Sequence, residues 1–150
     1  MFPRGYASPS PETGIMLTRL AASALLVFAL TVAAHADPAA PTGKWLAEDI
    51  DGGGVIDRLQ TTLEIQADGI VTGMGGCNRY AGSATINGNA IRFLPMASTR
   101  MACSTAAMRQ EAKFHSTLEK VTAWRVDQAQ RKLLLLDKGG FDLMRLSKMD

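Results

Sequence analysis

Residues 73–103 read GMGGCNRYAGSATINGNAIRFLPMASTRMAC and contain both cysteines of the chain. Asn87-Gly88 lies between two short segments in which apolar and polar residues alternate. Asn-Gly is the strongest short-range signal for a hairpin turn, because both residues tolerate the positive φ that the turn requires. The stretch therefore predicts strands joined by a hairpin, followed by a crossing into the helix-like sequence after residue 103.

The flanking sequence repeats this pattern of short strands and tight turns. Gly43–Ile50 and residues 141–146 are predicted strands, and Asp68-Gly69 predicts a second hairpin. The leucine run at 133–136 predicts a central strand covered on both faces. We expect seven or eight strands, and a mainly β (α+β) fold: a small antiparallel β-barrel or a strongly curved sheet with one α-helix.

The predicted helix covers residues 104–121, with Ser104 or Thr105 as its N-cap. Apolar residues recur in it at intervals of three and four positions, which makes one apolar stripe. Glu111 falls within that stripe. It could lie at the rim, be a buried carboxylate satisfied by Arg or backbone amides, or be catalytic, although no second acid or base is visibly paired with it.

The N-terminal part has the features of a secretory signal. An extension and signal peptide are predicted over residues 1–36, with Met16 as the start, an apolar run at 20–34 and cleavage after Ala36. An uncleaved N-terminal anchor is the alternative. No cysteine lies near the cleavage site, which excludes a lipid anchor there. We expect a periplasmic or secreted protein, with residues 37–42 as a linker before a domain at 43–147.

The charge of the chain argues against some partners. The formal net charge is +2. It falls to about +1 for the predicted mature chain, because two arginines and one glutamate leave with the signal. The charges are scattered and form no basic stripe, so we expect no nucleic-acid partner.

Cys77 and Cys103 both lie in the part predicted to be exported. An even number of cysteines in an oxidising compartment favours a disulfide. Two buried free thiols are the alternative. A metal site is not expected, because two sulfurs and the one histidine of the mature chain, His115, fall short of a ligand set.

Three stretches partly match chemical motifs, but each lacks a residue that its chemistry requires. The glycines at 73–76 are followed neither by a helix start nor by the lysine of a phosphate loop. Residues 49–60 match part of a calcium loop, but Gln60 stands where a bidentate glutamate is needed. His115 has no apparent nucleophile or second histidine as a partner. We expect no enzymatic activity and no cofactor.

Two signatures and a helix pattern resemble the META domain family, to which the bacterial heat-shock protein HslJ belongs. The resemblance covers about residues 43–147 and is carried by Gly76-Cys77-Asn78-Arg79-Tyr80-x-Gly82, by Thr99-Arg100-Met101-Ala102-Cys103, and by Glu111, Phe114 and Leu118.

This resemblance implies a lipocalin-like barrel with one helix in an exported or envelope-associated protein, with no known enzymatic activity or ligand. It also implies a link to heat shock and novobiocin tolerance. The residues that it nominates as structural or binding candidates are Gly76, Asn78, Arg79, Tyr80, Gly82, Thr99, Arg100, Met101 and Glu111.

The leading functional hypothesis is a non-enzymatic envelope protein that acts in stress response through binding or stabilisation. Its partner would be an envelope protein or a small ligand, and we expect a monomer that is not an integral membrane protein after signal cleavage. A secreted protease inhibitor and a carrier of a small apolar ligand inside the barrel are the alternatives.

Overall fold

The structure is a computed structural model, and it describes residues 39–150. The predicted signal peptide and its cleavage site lie outside these residues. The described part contains one helix, α1 (Thr105–Leu118), and nine strands: β1 (Gly43–Ile50), β2 (Thr62–Ile65), β3 (Ile70–Met74), β4 (Arg79–Asn87), β5 (Ala90–Phe93), β6 (Ala97–Ser98), β7 (Ala123–Asp127), β8 (Lys132–Leu136) and β9 (Asp142–Lys148).

The strands form one curved antiparallel sheet, as the sequence predicts. The order is β3-β2-β1-β9-β8-β7-β5-β4-β6, and β3 also pairs with β4. Eight of the strands are therefore connected in a ring, and β6 pairs with β4 outside it. One junction of the ring is thin, because β5 and β7 share the single register pair Ala90–Ala123.

The hairpin turns differ in detail from the predicted ones. Asn87 pairs with Ala90, so the turn residues are Gly88 and Asn89, and Gly88 alone supplies the positive φ, 58°. The turn between β2 and β3 contains Gly69 at a φ of 86°. Each glycine occupies a backbone conformation that residues with a Cβ rarely adopt.

Side chains fill the interior of the ring. Alternate residues of the strands point inward, as expected for a sheet with one solvated face. The buried hydrophobic cluster consists of Trp45, Ala47, Ile50, Leu63, Ile65, Val71, Tyr80, Ala84, Ile91, Phe93, Phe114, Leu118, Val121, Leu133, Leu135, Leu143, Met144 and Leu146. A packed interior gives no support to the hypothesis of an apolar ligand carried inside the barrel.

A bulge in β1 changes which face its residues occupy. The pairing with β9 shifts register between Ala47 and Asp49. Trp45 and Ala47 point inward, but the extra residue then turns Asp49 away and brings Ile50 into the core at 0% exposure. Burying an isoleucine side chain contributes about 1.5–3 kcal/mol, whereas an unpaired carboxylate would be costly there.

The leucine run of β8 is fully buried on one face and partly exposed on the other, so the predicted cover is complete on one face only. Leu133 and Leu135 are fully buried, whereas Leu134 and Leu136 are partly exposed. The last strand is predicted to begin at residue 141, but Phe141 precedes β9 and is 73% exposed. A continuous apolar run does not distinguish a strand covered on both faces from one with a partly wet outer face.

Helix α1 begins and ends with local signals. The hydroxyl of Ser104 accepts a hydrogen bond from the Ala107 amide at 3.3 Å, which confirms the predicted N-cap. The helix ends at Leu118, three residues before the predicted end. Its apolar face contributes Phe114 and Leu118 to the core, and this docking places Glu111 against the loop before β4.

Candidate functional site

Cys77 and Cys103 form a disulfide, as the sequence predicts, with their Cα atoms 5.9 Å apart. The bond joins the loop immediately before β4 to the segment immediately before α1. The bond between these two cysteines, which are 26 positions apart in the sequence, therefore holds the two signatures of the resemblance side by side.

The Glu111 carboxylate lies at the centre of this junction and is 8% exposed. Its Oε2 accepts hydrogen bonds from the backbone amides of Cys77, at 2.9 Å, and Asn78, at 2.5 Å. Its Oε1 accepts a third from the Asn78 side-chain amide at 2.8 Å. Three interpretations of Glu111 followed from the sequence. The structure agrees with the second, a buried carboxylate whose hydrogen bonds come from backbone amides.

These hydrogen bonds control the ionisation of Glu111. Burial raises the pKa of the carboxyl, but the hydrogen bonds from Asn78 and Cys77 outweigh it and leave the pKa below its usual value. The ionised form is thus the stable form in the folded protein. A general acid or a poised general base needs the opposite shift, toward the working pH.

Asn78 links the helix to the second signature. Its side-chain oxygen accepts hydrogen bonds from the Met101 amide, at 2.6 Å, and the Thr99 hydroxyl, at 2.9 Å. Its side-chain nitrogen donates to Glu111 and, at 3.3 Å, to the Met101 carbonyl. Both ends of the amide are occupied and the residue is 2% exposed. We call Asn78, Glu111 and the Cys77–Cys103 disulfide the motif network.

Glycines let the loop before β4 lie directly on α1. A Cβ on Gly75 would lie 2.8 Å from Cγ of Glu111. Gly76 has a φ of 143°, and a Cβ there would approach the Ala107 carbonyl at 3.3 Å. The close approach of backbone to helix thus requires glycine at Gly75.

The remaining motif residues separate into inward and outward groups. Tyr80 is buried, donates from its hydroxyl to the Thr62 carbonyl at 2.7 Å, and packs against Phe114. Gly82 lies away from the network, against Met96. Among the nominated residues, those with exposed side chains are Arg79, Thr99, Arg100 and Met101.

The sequence reasoning missed Gln110, which is 7% exposed. Its side-chain oxygen accepts from the Ile56 amide at 2.7 Å, and its nitrogen donates to the Thr61 hydroxyl at 2.9 Å. Thr61 in turn donates to the Gly75 carbonyl at 2.9 Å. The turn of α1 at 110–111 therefore anchors two loops, and only the position of Gln110 beside Glu111 could have suggested this.

His115 lies one helical turn after Glu111, edge-on to Tyr80 with ring centroids 5.1 Å apart. Burial lowers the pKa of the imidazole, and this outweighs the opposite effect of Glu111 and Glu119. Its Nε2 is buried and has no hydrogen-bond partner within residues 39–150. The ring faces a cleft of about 330 Å³ between α1 and the segment after β5.

The glycine-rich loop after β1 is closed by its own aspartate. The carboxylate of Asp49 accepts hydrogen bonds from the amides of Gly52, at 2.9 Å, and Gly54, at 2.7 Å. The residue that would be the first calcium ligand thus organises a turn. In the described part of the chain, no three His, Cys, Asp or Glu side chains cluster as metal ligands.

Comparison with known proteins identifies the family. The family model of the META domain matches residues 39–150. The chain belongs to the META domain family. A search of curated proteins gives no match.

Two NMR structures share the fold of this META domain, and a crystal structure is similar over a smaller part of the chain. An NMR structure of a protein from Burkholderia xenovorans is 23% identical, with a TM-score of 0.60 over 71% of this chain and 81% of that chain. A second NMR structure is 18% identical, with a TM-score of 0.52 over 70% of this chain and 87% of that chain. A crystal structure of a DUF4847 family protein from Bacteroides vulgatus ATCC 8482 is 21% identical, with a TM-score of 0.44 over 60% and 61% of the two chains.

Within residues 39–150 the META domain has no helix with the length and hydropathy of a membrane span.

Proposed function

We propose that this META-domain protein is an exported, non-enzymatic, HslJ-like protein that supports envelope and heat-stress tolerance by binding or stabilising a partner. The observation that carries the proposal is the motif network. Glu111 accepts three hydrogen bonds from residues 77–78 and has a lowered pKa, so its lone pairs are committed to holding the fold together. This structural use of Asn78 and Glu111 supports a protein that acts through its surface rather than through the chemistry of these two side chains.

Export is supported by the disulfide, because such bonds persist in oxidising compartments. Expression of the full chain in a Gram-negative host, followed by fractionation and intact mass measurement, tests it. We expect a periplasmic or secreted product that starts at Asp37 and carries an oxidised cysteine pair. Recovery of a full-length, reduced protein in the cytoplasm would contradict export. A variant with Arg at Ala34 and Ala36 is the control, and it should keep the precursor mass.

The stress role is tested by deleting the gene in its own host and measuring growth under heat and under novobiocin. We expect greater sensitivity to both and rescue by a plasmid-borne wild-type copy. A deletion strain that grows like the parent under both conditions would remove the stress role.

A variant of Glu111 tests the proposal that the protein is not an enzyme. Glu111→Gln keeps the shape of the side chain but removes the carboxylate, so it should still rescue the deletion strain at a temperature where circular dichroism shows it folded. Failure of a folded Glu111→Gln protein to rescue would indicate that Glu111 acts chemically. Glu64→Gln, at a partly exposed position of β2 outside the motif network, is the matched control.

A further inference from the structure

We propose that the groove between β5 and the C-terminal end of α1 binds an extended peptide segment of a partner protein, added to the sheet as a strand along β5. This inference deepens the proposed function by naming the class of partner, and it rests on that function. The segment that fits has apolar residues alternating with charged ones of both signs.

The first observation is an unpaired strand edge at the thin junction of the ring. Leu94 donates its amide to Ser83 on the β4 side, at 2.9 Å. Because successive residues of a strand direct their backbone groups to opposite sides, Phe93 directs its N–H and C=O away from β4. The β5–β7 pairing ends before this point, at the Ile91 amide, which donates to the Thr122 carbonyl at 3.1 Å.

On the side away from β4, no described strand lies beside the far half of β5. Thr122 donates its amide to Leu136, so it does not return a hydrogen bond to the Ile91 carbonyl. Within residues 39–150, the Ile91 carbonyl and both backbone groups of Phe93 therefore lack strand partners. Such an edge is a template for another extended chain, and strand addition is a common mode of peptide recognition.

The second observation is a groove of suitable size and lining along this edge. Two clefts of about 330 and 430 Å³ adjoin at Arg92 and Glu119, which line both. The apolar floor of the groove is formed by core side chains that are 2–7% exposed: Ile91 and Phe93 on β5, Leu118 at the end of α1, and Val121 after it. Alternate side chains of an added strand would contact this lining.

The third observation concerns charge. Arg92 and Glu119 are exposed, and neither forms an ion pair with any residue of the described part. They are an unpaired cation and an unpaired anion along one groove. A peptide that carries both an acidic and a basic side chain on its outer face complements them.

The probe is a short acetylated and amidated peptide in which valine alternates with glutamate and lysine. We expect saturable binding by fluorescence anisotropy. In hydrogen exchange followed by NMR, the Phe93 amide should exchange rapidly in the free protein and become protected when the peptide binds. A Phe93 amide that is already protected, or a peptide that does not bind, would overturn the proposal.

Backbone methylation of the peptide distinguishes strand addition from ordinary apolar contact. The N–H groups of alternate residues point to the same edge of a strand, so methylating either the valines or the charged residues removes donors from one edge only. We expect one methylated peptide to lose about tenfold in affinity and the other to bind like the parent. Equal binding of both methylated forms would overturn the proposal.

Charge reversal tests the site from the protein side. Arg92→Glu should weaken binding about threefold to fivefold. Arg109→Glu, on an exposed helix position outside the groove, is the control and should leave affinity unchanged. An equal effect of the two variants would place binding elsewhere.

Failure of this inference and failure of the proposed function have different readouts. A deletion strain without a phenotype removes the stress function, whereas the affinity of the purified protein for the peptide is unaffected by that result. Conversely, if the purified wild-type protein does not bind the peptide but its gene rescues the deletion strain, the peptide site is overturned and the stress function remains.

Discussion

The charge on Glu111 helps to hold two segments together, helix α1 and the loop before β4. Its carboxylate accepts hydrogen bonds from Cys77 and from both the backbone and the side chain of Asn78. Hydrogen bonds to a charged group are stronger than those between neutral groups. The ionised carboxylate therefore stabilises the folded state.

Glu111→Gln is expected to lower the free energy of unfolding at pH 7 by about 2 kcal/mol, since the amide cannot accept at both of its positions. Urea denaturation measures this. Glu119→Gln should change stability by less than about 0.5 kcal/mol because the side chain is exposed. Equal losses in the two variants would contradict the role of the network.

The same residue predicts a pH dependence. Its folded-state pKa is below the unfolded value of about 4.3, so its stabilisation is complete above that pH and is lost as the pH falls toward the folded-state pKa. The stability difference between wild type and Glu111→Gln should be constant from about pH 8 to 5 and should shrink below about pH 4. Denaturation series in both proteins measure it, and a difference that grows on acidification would be inconsistent with this ionisation.

His115 should destabilise the protein when it gains a proton. Burial lowers its folded-state pKa below the unfolded value of about 6.5. The neutral ring's full contribution to the free energy of unfolding is therefore present above that pH, and it is lost as the pH falls through the folded-state pKa. His115→Leu removes a buried nitrogen without a described partner. We expect unfolding free energies within about 1 kcal/mol of wild type at pH 8 and a flatter pH dependence between pH 7 and 5. An unchanged slope would exclude His115 as its source.

At the scale of elements, helix α1 and the loop before β4 fit together because the loop has no side chain at the contact. Gly75 faces Cγ of Glu111 closely, and the helix can be displaced only by moving its core residues as well. Gly53 provides a contrast, since a Cβ there would meet chiefly the flexible end of Lys113. Close packing against a fixed element and against a mobile side chain have different costs.

Gly75→Ala should therefore destabilise the protein by about 1–3 kcal/mol, and Gly53→Ala should be close to neutral. Thermal or urea denaturation of both variants measures the contrast. A Gly75→Ala protein as stable as wild type would show that the loop can withdraw from the helix without cost.

The elements that sequence predicts well are those with local causes. Ser104 caps the helix through its own hydroxyl, and Gly69 and Gly88 fix turns by their backbone freedom. The bulge in β1 and the exposure of Phe141 depend on pairing with strands far along the chain, so no local pattern contains them. The same holds for the site: both cysteines could be paired by their number, whereas the hydrogen bonds of Gln110 require the tertiary fold.

At the scale of the whole molecule, the disulfide limits the freedom of the unfolded chain between residues 77 and 103, which include β4, β5 and β6. In the chain-entropy model, closing a loop of this length contributes about 3–4 kcal/mol. A Cys77→Ser, Cys103→Ser double variant should lose about that much, and a reductant should have the same effect on the wild type. Urea denaturation with and without reductant tests this, and identical curves would contradict it.

β1 pairs with β9 from Trp45–Lys148 to Ile50–Met144, so the ring of strands cannot close before β9 is available. The first strand of the described part finds its central neighbour about a hundred residues later, so this contact is among the most non-local in the molecule. Hairpins such as β4–β5 can form as soon as their residues are available, but the ring stays open until β9 arrives. During synthesis, β1 and β8 therefore present bare edges, and this interval is when the chain is most exposed to aggregation.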